Sequence, residues 1–491
     1  MNRLLPVIAS FALVGCAQII GATENPTVLP PSCKGTLSVR IASDFSGTAT
    51  DIAIPYFFGI YDHLRALNAR GGVLGCQIDV QTSDNQYTNA GTQAVVDQWR
   101  QNDPKWSEVN TVFVFGTGPT STVAAGLAGE GKVIIPGSYA GKLASPVAVN
   151  RSITYPVVNE SFLEGDQAEQ KESPGFPFVF YPATDYATGI RLAIQSAWQI
   201  APGRMAMAHE TADKCAYCVE PLAAGKSYIG NLSGMSLGRD LIIPQTSNAS
   251  DGPAIETAVR AYFQKEIDQV KANATYKPVT WVWSGNSVMA SSLLGQALWK
   301  VQTTMIDTDL TIPSAVRTAW KLRVIANNWG IGETTPSICG DACNHDNFYG
   351  LFPVPKYGDI QNSAAMATII ATHDEFAAKD TMPNPPIPAR RSSDFRDVRY
   401  VQGYAAALMW QRGIEAAIKA GQRAPTGADL KAAFETFSSE ALDGATAAPI
   451  SFSPADHRPQ SAMSIYKLDA NGQLVFVNRY NLPLVADWLG W

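Results

Sequence analysis

The 491-residue sequence has few charged residues and no strong excess of either sign. Only 16% of its residues are Asp, Glu, Lys or Arg, and the formal net charge at pH 7 is -6. A protein that follows a nucleic acid needs a stripe of Lys and Arg to neutralise phosphates, and the sequence shows no such stripe. The composition therefore argues against a nucleic-acid partner.

Long hydrophobic runs are scarce after the first sixteen residues. A helix needs a run of about 18 to 20 apolar residues to span a bilayer. No later segment of the sequence reaches that length. We therefore predict that the body of the protein does not cross a membrane.

The sequence also lacks the common catalytic motifs. Its five histidines fall in no nucleophile or zinc-protease pattern, and no GxSxG motif occurs. The segment GTGPTS at 116–121 contains glycines but lacks the lysine of a phosphate-binding loop. We therefore favour a binding protein, with no catalytic residues, cofactor or metal, over an enzyme.

The first sixteen residues carry the clearest signal in the chain. Arg3 precedes an apolar run over 4–14, which ends in the string LVGC at Cys16. A positive start, a short apolar stretch and a small residue before the cut are typical of a secretion signal. The string resembles a bacterial lipoprotein signal, in which 1–15 are removed, Cys16 is lipidated and 16–34 form a membrane-anchored linker. An ordinary signal peptide or a short N-terminal helix remains the alternative.

The other six cysteines fall into one distant pair and two close pairs. In an oxidising compartment this spacing favours three disulfides, although other connectivities are formally open. The first pair precedes two predicted strands that would be neighbours in one sheet, within bridging reach. The favoured pairs are Cys33 with Cys76, Cys215 with Cys218, and Cys339 with Cys343.

Two of these cysteine segments have alternative interpretations. The CxxC motif at 215–218 resembles the working part of thiol oxidoreductases, but it does not open a helix directly after a strand. The segment CGDACNHD at 339–346 resembles a sparse metal site, but a second ligand pair is not evident. In both places we favour a structural disulfide.

Strands and helices alternate along most of the chain. Apolar runs predict strands, and apolar residues at helical spacing predict helices between them. This alternation is typical of parallel sheets with helices on both faces. The predicted strands are 35–43, 76–83, 109–116, 132–136, 203–209, 240–244, 279–284 and 322–326, followed by a β-rich tail at 450–480. The predicted helices are 52–68, 92–99, 121–130, 223–232, 254–272, 287–300, 400–420 and 427–436.

Several segments, in this order and spacing, resemble the type I periplasmic solute-binding proteins of the leucine/isoleucine/valine-binding branch. The resemblance covers residues 35–480, and no single motif is diagnostic. The segments that carry it are SDFSG, LNARGGVLGCQIDVQTSDNQ, FVFGTGPTSTVAAGLAGEGKVIIPGSYAG, PFVFYPATDYATG, YVQGYAAALMWQRGIEAA and ISFSPADHRPQSAMSIYKLDANGQLVFV.

The resemblance implies an α/β fold of two Rossmann-like lobes joined by three crossover strands. Lobe I would comprise 35–182 plus 352–445, and lobe II 183–351 plus 446–491. The crossovers would lie near 181–184, 350–353 and 445–450. The chain is longer than is usual for the family, and the segments around Cys215, at 300–318 and at 339–387 look like insertions.

The family implies a function as well. The protein would be an extracytoplasmic, lipid-anchored monomer that captures a small organic ligand by hinge closure. It would deliver that ligand, an amino acid or a related carboxylate or amide, including aromatic ones, to the transmembrane subunits of an ABC permease. The alternative is a sensor of the same fold that signals to a protein partner without transport.

On lobe I, the resemblance places the ligand at loops that follow strands. Open α/β sheets generally bind their ligands at this position. Hydroxyls and backbone groups near a helix start would hold a carboxylate, although such hydroxyls are also common helix caps and turn residues. The implied residues are Asp44, Ser46, Thr117, Thr120, Ser138 and Tyr139.

On lobe II, the implied ligand contacts are Asp185, Tyr186, Trp329 and Glu333. Tyr186 and Trp329 would close over an apolar face of the ligand, and Asp185 or Glu333 would pair with an ammonium group. Asp185 is equally well placed as the N-cap of the following helix.

Overall fold

The computed structural model describes residues 32–491 apart from 247 and 274, and these residues form two α/β lobes. Each lobe is built on its own sheet, so the predicted fold class is confirmed. The predicted lipidation site, Cys16, lies outside the described residues. Within the described ranges, no helix is long and apolar enough to cross a membrane.

Lobe I is built on four parallel strands in the order β2-β1-β3-β4. The strands are β1 (Thr36–Ser43), β2 (Gln77–Asp84), β3 (Val109–Phe115) and β4 (Val133–Gly137). The helices between them are α1 (Thr50–Ala69), α2 (Asn89–Asn102) and α3 (Thr117–Gly129). Strand β3, with the sequence VNTVFVF, is buried along its whole length, as expected of a parallel strand covered on both faces.

Helix α3 begins at Thr117, earlier than the predicted start at 121. Gly116 has a φ of 110°, a conformation open to glycine but rarely to other residues, and it turns the chain directly from β3 into the helix. Thr117 and Thr120 therefore lie in the first helical turn rather than in a preceding loop.

A long hairpin that the sequence did not predict follows lobe I. Its antiparallel strands are β5 (Val149–Val158) and β6 (Glu164–Ser173). We call residues 149–173 the hairpin arm. The side chains of β6 are mostly exposed and polar, so this strand lacks the apolar alternation from which a strand is predicted.

Lobe II contains the larger sheet. Four of its strands, β12-β11-β10-β7, are parallel neighbours, and two short strands flank β7. The strands are β7 (Arg204–His209), β8 (Ser236–Leu237), β9 (Leu241–Ile242), β10 (Val279–Ser284), β11 (Arg323–Ala326) and β12 (Phe348–Phe352). The helices are α4 (Tyr186–Ile200), α5 (Ala216–Val219), α6 (Leu222–Ile229), α7 (Gly252–Ala272), α8 (Val288–Val301), α9 (Ser314–Ala319) and α10 (Thr335–Cys339).

The chain then returns to lobe I and ends on lobe II. Helices α11 (Met366–Ala377) and α12 (Val398–Lys419) pack on α1, and α13 (Gly427–Phe434) packs on α12 and β3. Strands β13 (Ala462–Leu468) and β14 (Leu474–Asn481) extend the lobe II sheet in antiparallel fashion beyond β12. The sequence predicted α12, α13 and a β-rich tail, but not β12 or α11.

Helices α1 and α12 meet at two glycines. A Cβ atom on Gly59 would lie 2.1 Å from the carbonyl oxygen of Tyr400, and one on Gly403 would lie 1.9 Å from that of Tyr56. Only glycine allows the two backbones to approach this closely. The contact fixes the position of Tyr56, whose ring points toward the other lobe.

The chain passes between the two sheets after β4, after β12 and before β13, and hydrogen bonds link these passages. The Gln460 amide donates to Pro182 O at 2.9 Å, and Ala447 N donates to Pro353 O at 2.8 Å. The Thr184 hydroxyl donates to Ala462 O at 2.7 Å. The three passages therefore lie side by side, where a hinge between the lobes would be expected.

The structure pairs the cysteines in the way that their spacing favours. The disulfides join Cys33 to Cys76, Cys215 to Cys218, and Cys339 to Cys343. The described part of the chain brings together no group of three or more metal-ligating side chains, including at 339–346.

Candidate functional site

Aromatic side chains from both lobes meet at the carboxyl ends of the strands. The Trp329 ring, which follows β11 of lobe II, stacks on Tyr139 of lobe I with centroids 5.4 Å apart. Tyr56 and Phe115 of lobe I approach the same indole edge-on, at 5.9 and 5.8 Å. The indole N–H donates to the Tyr186 hydroxyl at 2.7 Å. Trp329 is therefore the centre of the contact between the lobes.

The turn after β11 holds Trp329 rigidly. Its backbone N–H donates to the Asn327 side chain at 2.8 Å, and its carbonyl accepts from Arg399 of α12 at 3.2 Å. Tyr186 is fixed across the cleft, because its backbone N–H donates to Tyr139 O at 2.7 Å. The sequence-predicted residues Tyr139, Tyr186 and Trp329 are thus brought together.

The predicted hydroxyls of lobe I divide into two groups. Thr117 and Ser138 lie at the carboxyl ends of neighbouring strands, and their hydroxyl oxygens are 2.6 Å apart. The Thr120 hydroxyl instead donates to Gly116 O at 2.7 Å, within its own helix. Only Thr117 and Ser138 therefore form a pair that a ligand at the start of α3 would meet.

Asp44 and Ser46 shape a loop of lobe I. The Asp44 carboxylate is buried and accepts hydrogen bonds from the backbone N–H groups of Gly47 and Ala49, at 2.5 and 2.8 Å. Burial raises the pKa of Asp44, while these hydrogen bonds oppose the shift. The Ser46 hydroxyl donates to Asp84 at 2.5 Å. These contacts order the entrance to α1 and leave Asp44 little capacity for a ligand.

Asp185 is the N-cap of α4, as one interpretation of the sequence predicted. One carboxylate oxygen accepts from Thr188 N–H at 2.8 Å. The other oxygen is buried and finds no hydrogen-bond partner among the described residues. Its role in binding an ammonium group stays a prediction.

Glu333 links lobe II to the start of α12. Its carboxylate accepts from the backbone N–H groups of Tyr357 and Val398, at 2.8 and 2.7 Å. Burial, and then the neighbouring Asp397 carboxylate, raise the pKa of Glu333 to about 8. Both oxygens are occupied by backbone groups, so the geometry supports a positioning role for Glu333 rather than a ligand contact.

Tyr87, which the sequence analysis did not single out, enters the cleft from the loop after β2. Both Gln86 and Tyr87 have left-handed backbone conformations, with φ of 54° and 53°. The Asn85 side chain holds this turn, accepting from Tyr87 N–H and donating to Phe115 O, both at 3.0 Å. Strained backbone of this kind clusters at functional sites.

Tyr217 enters the cleft from lobe II on the loop closed by the disulfide between Cys215 and Cys218. Its ring lies 6.2 Å from that of Tyr186. Together with Tyr87 and Glu210, it lines a cavity of about 20 Å³ between the lobes. Glu210 directly follows β7, so the general rule that sites form at strand ends could have found it. Tyr217 lies inside the CxxC motif at 215–218, which the sequence analysis interpreted as a structural disulfide and not as part of a binding site.

Comparisons with known proteins found relatives only among solved structures. No family model matches the chain, and no curated protein does.

Solved structures, in contrast, match almost the whole chain. An ABC transporter substrate-binding protein from Aeropyrum pernix is 22% identical, with a TM-score of 0.69, covering 93% of this chain and 98% of the other. A branched-chain amino acid ABC transporter protein from Thermus thermophilus, with bound valine, is 15% identical, with a TM-score of 0.66 and coverages of 92% and 97%. A fatty acid ABC transporter substrate-binding protein from Thermomonospora curvata is 15% identical, with a TM-score of 0.64 and coverages of 93% and 95%.

Identities this low establish the fold and leave the ligand open. All three of these structures carry ABC transporter titles. A further match, 13% identical with a TM-score of 0.56 and coverages of 90% and 99%, is a type 1 periplasmic binding protein from Bordetella pertussis. The protein has the two-lobed type I periplasmic binding fold of ABC transporter substrate-binding proteins.

Proposed function

We propose that the protein is the extracytoplasmic solute-binding receptor of an ABC importer, without enzymatic activity. The observation that carries this proposal is the aromatic contact around Trp329, to which both lobes contribute at the carboxyl ends of their strands. Ligands of open α/β folds bind in this position. A lipid on Cys16 would anchor the receptor to the membrane, beside the transmembrane subunits of its permease. The receptor would act as a monomer.

Binding would proceed by closure of the two lobes on the ligand. A ligand favours the closed form only through its stronger contacts with that form, so groups that reach it from both lobes dominate the shift. Tyr56 and Tyr139 supply such contacts from lobe I, and Tyr186 and Trp329 from lobe II. The rotation would occur about the three crossovers near 181–184, 350–353 and 445–450.

The ligand would be a small organic molecule such as an amino acid or a related carboxylate or amide. Thr117 and Ser138 stand at the N-terminal end of α3, where backbone N–H groups and the helix dipole favour an anionic group. The surrounding rings would pack on the apolar part of the ligand. Solved structures of this fold have titles that name valine and a fatty acid, which span this range.

A thermal-shift screen of the protein starting after Cys16 tests the proposal. The panel comprises amino acids, short amides, aromatic acids and fatty acids, and a ligand at a hundred times its Kd should add about 2.7 kcal/mol of stability. Calorimetry then compares the wild type with Trp329→Ala, for which we expect at least ten-fold weaker binding.

Trp299→Ala is the matched control for this experiment. Trp299 lies near the far end of α8 and stacks on His345, away from the cleft. Unchanged affinity in Trp329→Ala, or a panel without any ligand, would contradict the proposed site. Ligand binding without uptake through any permease would instead favour a sensor of the same fold.

A further inference from the structure

A small cavity beside the aromatic contact has the character of a binding site in its own right. It has a volume of about 20 Å³ and lies between the loops that follow β2 in lobe I and β7 in lobe II. Its walls include Thr48, Tyr87, Glu210, Cys215, Tyr217 and Thr246. The sequence analysis assigned a ligand contact to none of these residues.

Glu210 is a buried acidic residue of this cavity that has no cationic partner among the described residues. Only 7% of the residue is exposed. Within the described residues its carboxylate accepts one hydrogen bond, a long one of 3.3 Å from Thr246 N–H, and forms no ion pair. A buried carboxylate without a cation is costly unless a positive group arrives to pair with it.

The surroundings of Glu210 add negative rather than positive charge. Burial, and then the Asp51 and Asp251 carboxylates, raise the pKa of Glu210 to about 7. Asp51 itself has a buried oxygen that finds no hydrogen-bond partner in the described part of the chain. Lys214 also borders the cavity, but its ammonium pairs with Asp213 at 3.3 Å, and both side chains line the adjoining groove. The cavity therefore attracts a cation and repels an anion.

The two tyrosines and the size of the cavity limit which cations can bind there. Aromatic rings such as Tyr87 and Tyr217 attract organic cations. A cavity of about 20 Å³ holds roughly one water-sized group, since a single water needs about 10 to 15 Å³ on this measure. A primary ammonium fits this space, whereas a trimethylammonium or guanidinium group is too large.

The rest of the ligand has a route outward from this cavity. A wider groove of about 550 Å³ adjoins it and shares Thr48, Tyr87, Lys214 and Gln245 as lining residues. The remaining walls of the groove include polar side chains such as Thr88 and Asn89. A polar chain attached to the ammonium would lie there.

The geometry points to Glu210 as the binding site for the primary ammonium group of a polar organic amine, held between Tyr87 of lobe I and Tyr217 of lobe II. This inference rests on the proposed function, because it names the ligand class of the same cleft. It differs from the predicted ammonium contacts Asp185 and Glu333, which lie at helix starts elsewhere in the cleft.

Thermal shift and calorimetry with matched small probes test the inference. The amines are putrescine, ethanolamine and glycinamide. Their neutral counterparts are 1,4-butanediol, ethylene glycol and acetamide, and succinate is the anionic counterpart. At pH 8 and constant ionic strength we expect at least one amine to bind at least ten-fold more tightly than its counterpart.

The variant Glu210→Gln keeps the shape of the side chain and removes its charge. We expect it to weaken amine binding at least ten-fold. The matched control is Glu256→Gln in lobe II, where Glu256 pairs with Arg260 and Lys300 on the outside of α7. The thermal unfolding of each variant without ligand shows that it is folded.

The pH profile supplies a second measurement. Several titratable groups adjoin the Glu210 carboxylate, namely His209, Asp51, Asp251, Lys214, Tyr87 and Tyr217. With a Glu210 pKa of about 7 and putrescine or ethanolamine as the probe, which both stay protonated at pH 8, affinity should rise about ten-fold from pH 6 to pH 8. Glycinamide is left out of this profile, because its α-amino group titrates near pH 8. The profile should become flat in Glu210→Gln, and a slope that persists there would come from another group.

The outcomes separate the inference from the proposed function. Amine binding that Glu210→Gln leaves unchanged would overturn the assignment of Glu210. Binding of neutral or anionic panel members alone would overturn the amine class and leave the receptor function intact. If no member of this set or of the wider panel binds, the proposed function fails with it.

Discussion

Glu210 and Asp185 are acidic residues that lie almost completely buried between the lobes. Each carboxylate accepts one hydrogen bond from a backbone N–H group. The Arg191 and Arg458 guanidiniums act on Asp185, whereas Glu210 forms no ion pair within the described residues. Burial raises the pKa of Glu210, so its charged form lowers the stability of the folded protein at neutral pH. At the scale of the residue, a group positioned to bind a ligand therefore lowers the stability of the ligand-free protein.

The effect of Glu210→Gln on the stability of the protein should depend on pH. The folded-state pKa of Glu210, about 7, lies above its ordinary value of 4.5, so the native state holds this proton more tightly than the unfolded state. The resulting stability is fully present below pH 4.5 and is lost as the pH rises through 7. Ionised Glu210 costs at most about 3 kcal/mol at pH 8.

We therefore expect Glu210→Gln to raise the Tm at pH 8 and to change it little at pH 4.5. Differential scanning calorimetry across this range measures both values against the wild type. A variant that is less stable than the wild type at pH 8 would show that the carboxylate has a stabilising partner.

At the scale of elements, the crossing of α1 and α12 sets the position of the lobe I wall. Gly403→Ala would place a methyl group 1.9 Å from Tyr56 O, so the helices must separate. Overpacking of this kind typically costs about 1 to 3 kcal/mol. Urea unfolding should show this loss of stability. Calorimetry should show weaker ligand binding, because Tyr56 moves.

Gly129→Ala is the control for this substitution. Gly129 is the last residue of α3, and a Cβ atom there would meet no other atom within 4 Å. We expect its free energy of unfolding to change by less than about 1 kcal/mol, in the stabilising direction. Equal losses in the two variants would contradict the steric explanation.

The disulfide between Cys215 and Cys218 should fix one wall of the cleft. The helix it closes, α5, has only four residues, too few to be stable alone, and it carries Tyr217. We expect the double variant Cys215→Ser, Cys218→Ser to bind ligand at least three-fold more weakly by calorimetry.

The disulfide between Cys339 and Cys343 provides the comparison. It also belongs to lobe II, but it packs against Gly295 of α8 and lines neither the small cavity nor the groove. Replacing it with serines should lower the Tm and leave the ligand Kd unchanged. Equal effects on Kd would remove the special role of the cleft disulfide.

The sequence predicted those elements that depend on local patterns, and the same patterns suggested candidate site residues near strand ends. Strand β3 ends in the apolar run VFVF at 112–115. Trp329 follows the end of a predicted strand, and Tyr186 lies at the start of a helix. The hairpin arm escaped prediction because β6 has no apolar face. The hydrogen bond from Val398 N–H to Glu333 could not be predicted, because the two residues lie far apart in the chain and only folding brings them together.

At the scale of the molecule, aromatic rings and hydrogen bonds from both lobes make the contact across the cleft. Rings of Tyr56, Tyr139 and Trp329 meet across the cleft, and the hinge is tied by Gln460. The ligand should therefore act mainly by shifting the population of open and closed forms.

Small-angle X-ray scattering should detect this shift. We expect the radius of gyration to fall when a ligand from the panel is added to saturation. Trp329→Ala should show a smaller decrease at the same ligand concentration, because one contact that favours closure is lost. An unchanged radius in the wild type, with binding confirmed by calorimetry, would mean that the lobes do not rotate.

The hairpin arm offers a way to watch this rotation. The hairpin arm follows β4 of lobe I in the chain, but Ile153 and Tyr155 of the arm pack on Ala223 of lobe II. Glu160, near the tip of the arm, pairs with Arg239 and Lys265 of lobe II. The strands of the arm extend roughly 30 Å and would move with lobe II. A fluorophore on its exposed face and another on an outer helix of lobe I would turn ligand occupancy into a distance signal, with every cleft residue left intact.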